Sequence, residues 1–235
     1  MDALNQKDAN SEEQLPSLFA KNRKTTSSLP LPLGDKSSNL DAANLTQWRK
    51  RERERLITQR LALSPTARQH KTQLITGGLD DVLGTVQDRT ISVYWPFRGE
   101  PNLIQWVRSS ITRGACVAFP VVVEKGKPLL FKSWIPGEPL GTGMWDLPVP
   151  IQGTDVTPSI MIIPLVGFDD RLFRLGYGGG YFDRTLATFK PQPQTIGVGF
   201  AMCRIPTIYP QSYDIPMDVV ITESEIYRSS IPDRR

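Results

Sequence analysis

Two nine-residue apolar runs, Ala115–Val123 and Ile160–Phe168, set the strongest limit on how this chain folds. Neither alternates apolar with polar residues, as a strand with one wet face would, so both read as strands covered on both sides. Both fall far short of the ~20 apolar residues that span a bilayer. No membrane span is expected.

Around these runs the pattern alternates strand with helix. Thr46–Leu63 is rich in arginine and free of Gly and Pro, with a thin apolar stripe of Trp48, Leu56, Ile57 and Leu63. That predicts a helix with one buried face. Ser64-Pro65 offers a capping hydroxyl followed by proline at the first helical position, which starts a second helix. Thr90–Trp95 is β-branched and aromatic, hence a strand. Asn102–Arg113 places Leu103, Ile104, Val107 and Ile111 on one helical face, with Gly114 as its cap. Ala115–Val123, a turn at 124–128 and Leu129–Trp134 predict a β-hairpin. Pro136–Pro158 reads as a long ordered loop, and Thr195–Phe200 and Asp218–Thr222 as further strands, with a helix near Phe182–Phe189. The expected fold class is α/β: one domain, a mostly parallel sheet with helices on both faces, plus a β-hairpin. Residues 1–43 carry too few apolar positions to offset ordering entropy, so they read as a disordered tail before a domain at 44–235.

Charge is distributed unevenly. The net charge is +4, yet residues 47–72 alone carry +6, while 1–46 and the remainder each carry −1. Such concentration suits a local anion site better than an electrostatic footprint over a whole domain. Cys116 and Cys203 form no CxxC pair, so neither a disulfide framework nor a structural zinc site is expected, and a reducing cytoplasmic setting fits. The single histidine, His70, lies in a polar stretch and reads as an exposed helix residue; it leaves little material for Ser–His or Cys–His catalysis.

The densest chemical signal is Arg174-Leu175-Gly176-Tyr177-Gly178-Gly179-Gly180-Tyr181-Phe182-Asp183, placed between a buried strand and a helix. Four glycines let the backbone approach a ligand, and their N–H groups can cradle an anion. Arg174 adds a planar, permanently charged fork. The run is neither a dinucleotide fingerprint, whose third glycine would fall at Tyr181, nor a P-loop, which needs Lys and Ser/Thr after its last glycine.

The wider run Pro164–Asp183 (PLVGFDDRLFRLGYGGGYFD) resembles the signature of the 5-formyltetrahydrofolate cyclo-ligases, also called 5,10-methenyltetrahydrofolate synthetases. Other parts agree in order and spacing: the basic helix, Tyr94–Pro101 (YWPFRGEP), Val121–Pro150 from VVVEKGKPLLF to MWDLPVP, and Asp214–Thr222 (DIPMDVVIT). The resemblance covers about residues 47–222. It implies ATP- and magnesium-dependent closure of 5-formyltetrahydrofolate to 5,10-methenyltetrahydrofolate, with phosphorylation of the formyl oxygen and release of ADP and phosphate. Such chemistry needs positioning and charge neutralisation rather than a protein nucleophile, which suits a chain with one histidine.

Carried over by position, the resemblance implies that Arg174, Leu175, Gly176, Tyr177, Gly178, Gly179, Gly180, Tyr181 and Phe182 wrap the ATP phosphates, with Arg174 catalytic and Tyr177–Tyr181 also facing folate. It implies magnesium at Asp183 and Asp218. Two helix cations four residues apart would contact ATP; an ungapped count places them at Arg49 and Arg53, and a two-residue slip at Arg51 and Arg55. Trp95 and Glu100 match substrate positions, with Trp145 a further candidate for a folate ring. A carboxylate can accept paired hydrogen bonds from the pterin's amino-pyrimidinone edge, while an aromatic ring covers a heterocycle face.

Two departures stand out: Leu172 where the family usually has Gly, implying a reshaped turn before Arg174, and Phe182 where it often has Tyr. The rival readings are a nucleotide-binding relative without turnover that recruits RNA through the basic helix, and another ATP-dependent kinase or ligase on the same fold. Nucleic acid is not expected, since the basic residues lie in one helix with no interleaved aromatic beyond Trp48. A monomer with ATP and a folate as its partners is expected.

Overall fold

The computed structural model describes residues 41–229. The expected tail therefore lies outside the described residues up to position 40. Helix α1 (Ala42–Leu61) begins two residues before the expected domain boundary, because Asp41 caps it by accepting from the Asn44 amide. Ser64 caps α2 (Pro65–Leu83) in the same way through the Ala67 amide, with Pro65 in the first turn. His70 is exposed on α2, and Cys116 and Cys203 are unpaired.

The remaining elements follow as β1 (Thr90–Ser92), α3 (Ile104–Thr112), β2 (Cys116–Val121), β3 (Leu130–Ser133), β4 (Leu140–Thr142), β5 (Pro148–Pro150), β6 (Ile160–Pro164), β7 (Gly167–Phe168), β8 (Arg174–Leu175), α4 (Tyr181–Leu186), β9 (Gln194–Val198), β10 (Val219–Ile221) and β11 (Ile226–Arg228). The main sheet has the order β11-β10-β9-β6-β1-β2-β3. Its five inner strands run parallel, and the edges β11 and β3 are antiparallel. Ile160 to Ile163 are all buried, so both faces of the central strand are covered and an unbroken apolar run is what it needs. No described helix is long and apolar enough to cross a membrane.

Counted along the chain, the parallel strands follow the order 2-1-3-4-5. The chain winds one way from β1 to β2 and then returns to the other side of β1 at β6. A crevice opens where that reversal occurs, beyond the carboxyl ends of β1 and β6. The segments leaving these two strands carry YWPFRGEP and the glycine run.

The β2–β3 hairpin forms as expected, with Val121 opposite Leu130. Four features differ from expectation, one being the β7–β8 hairpin that pairs Gly167 with Leu175 and Phe168 with Arg174. Strand β1 stops at Ser92 instead of running to Trp95, with only the Val93 amide still bonded to Ala118 beyond it and Pro96 offering no N–H to a neighbour. The long loop contains the small β4–β5 hairpin, hidden in the sequence because one of its strands reads Pro-Val-Pro. Strand β11 closes the sheet edge through a turn at 222–225.

A second, smaller core of Leu56, Ile57, Val166, Leu175, Ile205 and Ile208 fixes α1 against the β7–β8 hairpin that precedes the glycine run. Thus the basic helix and the glycine loop are held together by packing, before any ligand is considered.

Candidate active site

Glu100 sits at the end of the turn after β1, with only 3% of its surface exposed. Its Oε2 accepts from the Phe97 amide at 2.9 Å, and its Oε1 accepts from the Tyr177 hydroxyl at 2.8 Å. The Tyr177 hydroxyl in turn accepts from Arg60 Nη2 at 2.7 Å. Burial pushes the Glu100 carboxyl up to about 7, against the opposing pull of the Arg60 cation and the Tyr177 and Phe97 hydrogen bonds. Burial, with the Glu100 charge, raises the Tyr177 phenol too. A buried carboxyl is thereby reached by the first tyrosine of the glycine loop.

Helix α1 brings three arginines to this side. Arg49, Arg53 and Arg60 fall within about 40° of one another on a helix of ~3.6 residues per turn. Arg53 Nε donates to the Gly176 carbonyl at 2.7 Å. Burial and then the neighbouring Arg49 cation make its charged form less favourable, which an anion would reverse. Arg49 is buried; its guanidinium donates to the carbonyls of Ile208 and Tyr209 and forms a 2.6 Å ion pair with Asp214. Arg51 and Arg55 are exposed, and Arg55 bonds Glu52 and Gln59 along the helix surface. Between α1 and the loop runs a groove of about 330 Å³, whose lining includes Lys50, Arg53, Arg98, Ile57 and Tyr177.

The loop itself requires glycine. Gly178 has φ +95°, and a β-carbon there would sit 3.3 Å from Arg53 Cζ. Gly180 has φ +65°, and a β-carbon there would lie 2.7 Å from Arg184 Nη1, the side chain that also donates to the Gly179 carbonyl. Only glycine takes this shape without strain while keeping the arginines close. Leu175 is buried in the smaller core and anchors the loop's entry, and Phe182 at its exit lies under the Arg174 guanidinium, 5.7 Å from ring centre to Cζ.

Arg174 forms a two-pronged pair with Asp183, at 3.0 and 2.8 Å, and Asp183 Oδ1 also accepts from the Ile215 amide. Asp214, the residue before Ile215, directs its own carboxylate to Arg49 and the Gln211 amide. Asp218 is placed differently. Its Oδ2 accepts from the Thr195 amide and hydroxyl at the amino ends of β9 and β10, away from the strand ends that carry Glu100. Of the two expected magnesium positions, the structure brings Asp183 into the cluster and leaves Asp218 tying two strands together.

Trp95 is half-buried and stacks on Phe119 at 3.9 Å, so one of its ring faces is covered by the core. Trp145 is exposed at the tip of the β4–β5 hairpin, where its ring meets Tyr181 edge-on at 5.5 Å. The hairpin thus brings Trp145 to the rim of the glycine loop. Leu172 keeps φ +63°, so the turn before Arg174 retains the left-handed backbone that glycine favours. Its side chain is buried in the main core.

Arg60 and Asp214 were not singled out from the sequence. Arg60 was detectable, since it shares the helical face of Leu45, Leu56 and the other two arginines. Asp214 opens the DIPMDVVIT motif, but no local pattern there shows its pairing with Arg49 of α1, 165 residues away in the chain.

A doubly wound sheet whose reversal point brings a glycine loop and inward-facing helix arginines beside a buried carboxyl group defines an α/β protein with a largely basic groove at that point. The chain belongs to the 5-formyltetrahydrofolate cyclo-ligase family, a family of ligases, whose model matches residues 45–223. It is 31% identical over 179 residues to the 5-formyltetrahydrofolate cyclo-ligase of Escherichia coli (strain K12), covering 72% of this chain and 96% of that protein. Its identity with the enzyme of that name from Haemophilus influenzae is 26% over 186 residues, covering 75% and 98%. The fold is similar to that of the 5,10-methenyltetrahydrofolate synthetase of Aquifex aeolicus, with a TM-score of 0.68 at 24% identity over 79% of this chain and 94% of that one. A Mycoplasma pneumoniae synthetase superposes with a TM-score of 0.62 at 22% identity, covering 74% and 98%.

Proposed function

We propose that this chain converts 5-formyltetrahydrofolate to 5,10-methenyltetrahydrofolate at the expense of ATP, in the cytoplasm and as a monomer. One observation carries the reading: a single glycine loop touches Arg53 through Gly176 and Glu100 through Tyr177. A phosphate cradle and a heterocycle-binding carboxylate are therefore neighbours, as transfer of a phosphoryl group to a bound folate requires.

In this reading Glu100 accepts the N–H donors of the pterin edge, while Trp95 and Trp145 contact its rings. Gly176, Gly178, Gly179 and Gly180 offer backbone N–H groups to the triphosphate, flanked by Leu175, Tyr181 and Phe182. Arg53, Arg174 and Arg49 supply the cations, Arg49 and Arg174 by exchanging part of their carboxylate pairing for phosphate. The formyl oxygen attacks the γ-phosphorus, and ADP departs. The resulting iminium carbon is attacked by the neighbouring folate amine, which gives up its proton. The C–O bond then breaks, and phosphate leaves with the former formyl oxygen. Arg174 stabilises the charge on the phosphoryl group in flight.

Among the described residues no three metal-ligating side chains cluster together. Magnesium nevertheless fits, since it commonly uses one or two carboxylates together with phosphate oxygens and water. Asp183 would hold it, with Asp214, one residue before the Ile215 amide that Asp183 accepts from, as a candidate second carboxylate, since Asp218 is bonded to Thr195. When bound, the ion supplies charge neutralisation on the polyphosphate.

The alternative of RNA recruitment loses part of its support from charge, because Arg49, Arg53 and Arg60 bond within the site, while the exposed Lys50, Arg51 and Arg55 have no exposed aromatic between them. Purified protein mixed with ATP, magnesium and 5-formyltetrahydrofolate is expected to generate the near-ultraviolet absorbance of the methenyl product. No turnover beside an active control would defeat the proposal.

A further inference from the structure

We infer that Arg60 is a positioning residue for folate, fixing the Tyr177 hydroxyl on Glu100 so that the carboxylate presents its remaining lone pairs to the pterin. The inference rests on the cyclo-ligase reading for the identity of the ligand, while the geometry stands by itself.

Arg60 is 1% exposed, and each of its guanidinium nitrogens is used. Nε donates to the Arg98 carbonyl at 3.0 Å and Nη1 to the Leu165 carbonyl at 3.0 Å. Arg98 follows β1 and Leu165 follows β6, so this one side chain spans the crevice floor between the two strand exits. Nη2 donates to the Tyr177 oxygen at 2.7 Å and lies 4.0 Å from Glu100 Oε1. A phenol oxygen that accepts from a cation must direct its single proton elsewhere. The better-placed acceptor is Glu100 Oε1 at 2.8 Å; the Phe97 carbonyl is at 3.3 Å. Each Glu100 oxygen then has one donor, from Tyr177 or from the Phe97 amide, and keeps lone pairs for a ligand. The groups facing Glu100 are thus Arg60 from α1, Tyr177 from the glycine loop, and Tyr94 with the Phe97 amide from the segment after β1. Arg60 is the only cation among them.

The test uses Arg60→Gln and Arg60→Lys in the full chain. Carboxyl-carbon NMR would follow the ionisation midpoint of Glu100 without ligand, with Glu100→Gln assigning the signal. The midpoint should rise in the order wild type, Lys, Gln. In turnover, Arg60→Gln should raise the KM for 5-formyltetrahydrofolate by ~10-fold or more, as expected for losing a hydrogen bond to a charged group. The KM for ATP and kcat should change little. A Glu100 midpoint unmoved in both variants overturns the inference, as does a fall in kcat with folate KM unchanged. Should Arg60→Gln not fold, Arg60→Lys decides alone: an unmoved midpoint refutes the inference. If the wild type forms no methenyl product, the cyclo-ligase reading fails, and the titration still decides what Arg60 does to Glu100.

Discussion

Replacing Glu100 with glutamine isolates the electrostatic cost of burying this carboxylate. The ordinary value of its carboxyl is 4.5, and burial moves it to about 7. At ~1.4 kcal/mol per tenfold change in proton affinity, the difference is worth about 3 kcal/mol. The sign follows from proton binding. Between pH 4.5 and 7 the unfolded chain has released this proton while the folded chain still holds it, so wild-type stability falls as pH rises through that window. Below the window the contribution is fully present; above pH 7 it is gone. Glutamine does not titrate, and the orphaned Arg60 adds an offset that does not depend on pH in this range. The stability of Glu100→Gln minus that of wild type should therefore rise by about 3 kcal/mol from pH 4 to pH 8. Subtraction cancels every other titrating group. Guanidinium unfolding followed by tryptophan fluorescence at a series of pH values measures it. A flat difference, or one that falls with pH, would show that Arg60 and Tyr177 outweigh burial and would refute the reasoning.

Four further outcomes follow from the same geometry. Asp183→Asn and Asp214→Asn should each sharply raise the magnesium concentration needed for half-maximal turnover, whereas Asp218→Asn should lower stability and leave the magnesium dependence unchanged; titrating the metal in the assay separates them. Gly178→Ala forces an L-residue to φ +95° against Arg53, and calorimetry should show weaker ATP binding by ~10-fold, with ~1 kcal/mol of backbone strain appearing in unfolding curves. Leu172→Gly relieves a left-handed backbone worth ~1 kcal/mol but deletes a buried side chain worth ~2–5 kcal/mol, so denaturation should show a net loss of about 2 kcal/mol. Arg174→Lys should cut kcat by ~10²-fold if its fork stabilises the moving phosphoryl group; a change confined to KM would assign it to binding.

What could be read in advance followed the reach of each signal. Strands β2 and β6 were legible because burial at their centres, Val117 to Phe119 and Ile160 to Ile163, leaves an unbroken apolar run, and α2 because Ser64-Pro65 marks its start. The β4–β5 and β7–β8 hairpins were not, since strands of two or three residues show no periodicity and Pro-Val-Pro argues against a strand. In the site, the glycine run announced itself through its need for positive φ. The basic helix was legible as a local anion site, yet its charge count hid which arginines point inward. Arg60 shares a face with Leu56, and burial is decided by that face rather than by charge density. Asp214 and Asp218 are four residues apart in one short segment. That Ile215, between them, meets the first turn of α4 through the Asp183 carboxylate is a tertiary contact that no local pattern encodes.

The account turns on one atom's path. With 5-formyltetrahydrofolate labelled by ¹⁸O in the formyl group, mass spectrometry of the phosphate released from a single turnover should find the label in that phosphate, because the formyl oxygen attacks the γ-phosphorus before the ring closes. Label recovered in water, with unlabelled phosphate, would mean that ATP is hydrolysed separately and would contradict phosphoryl transfer to the bound folate.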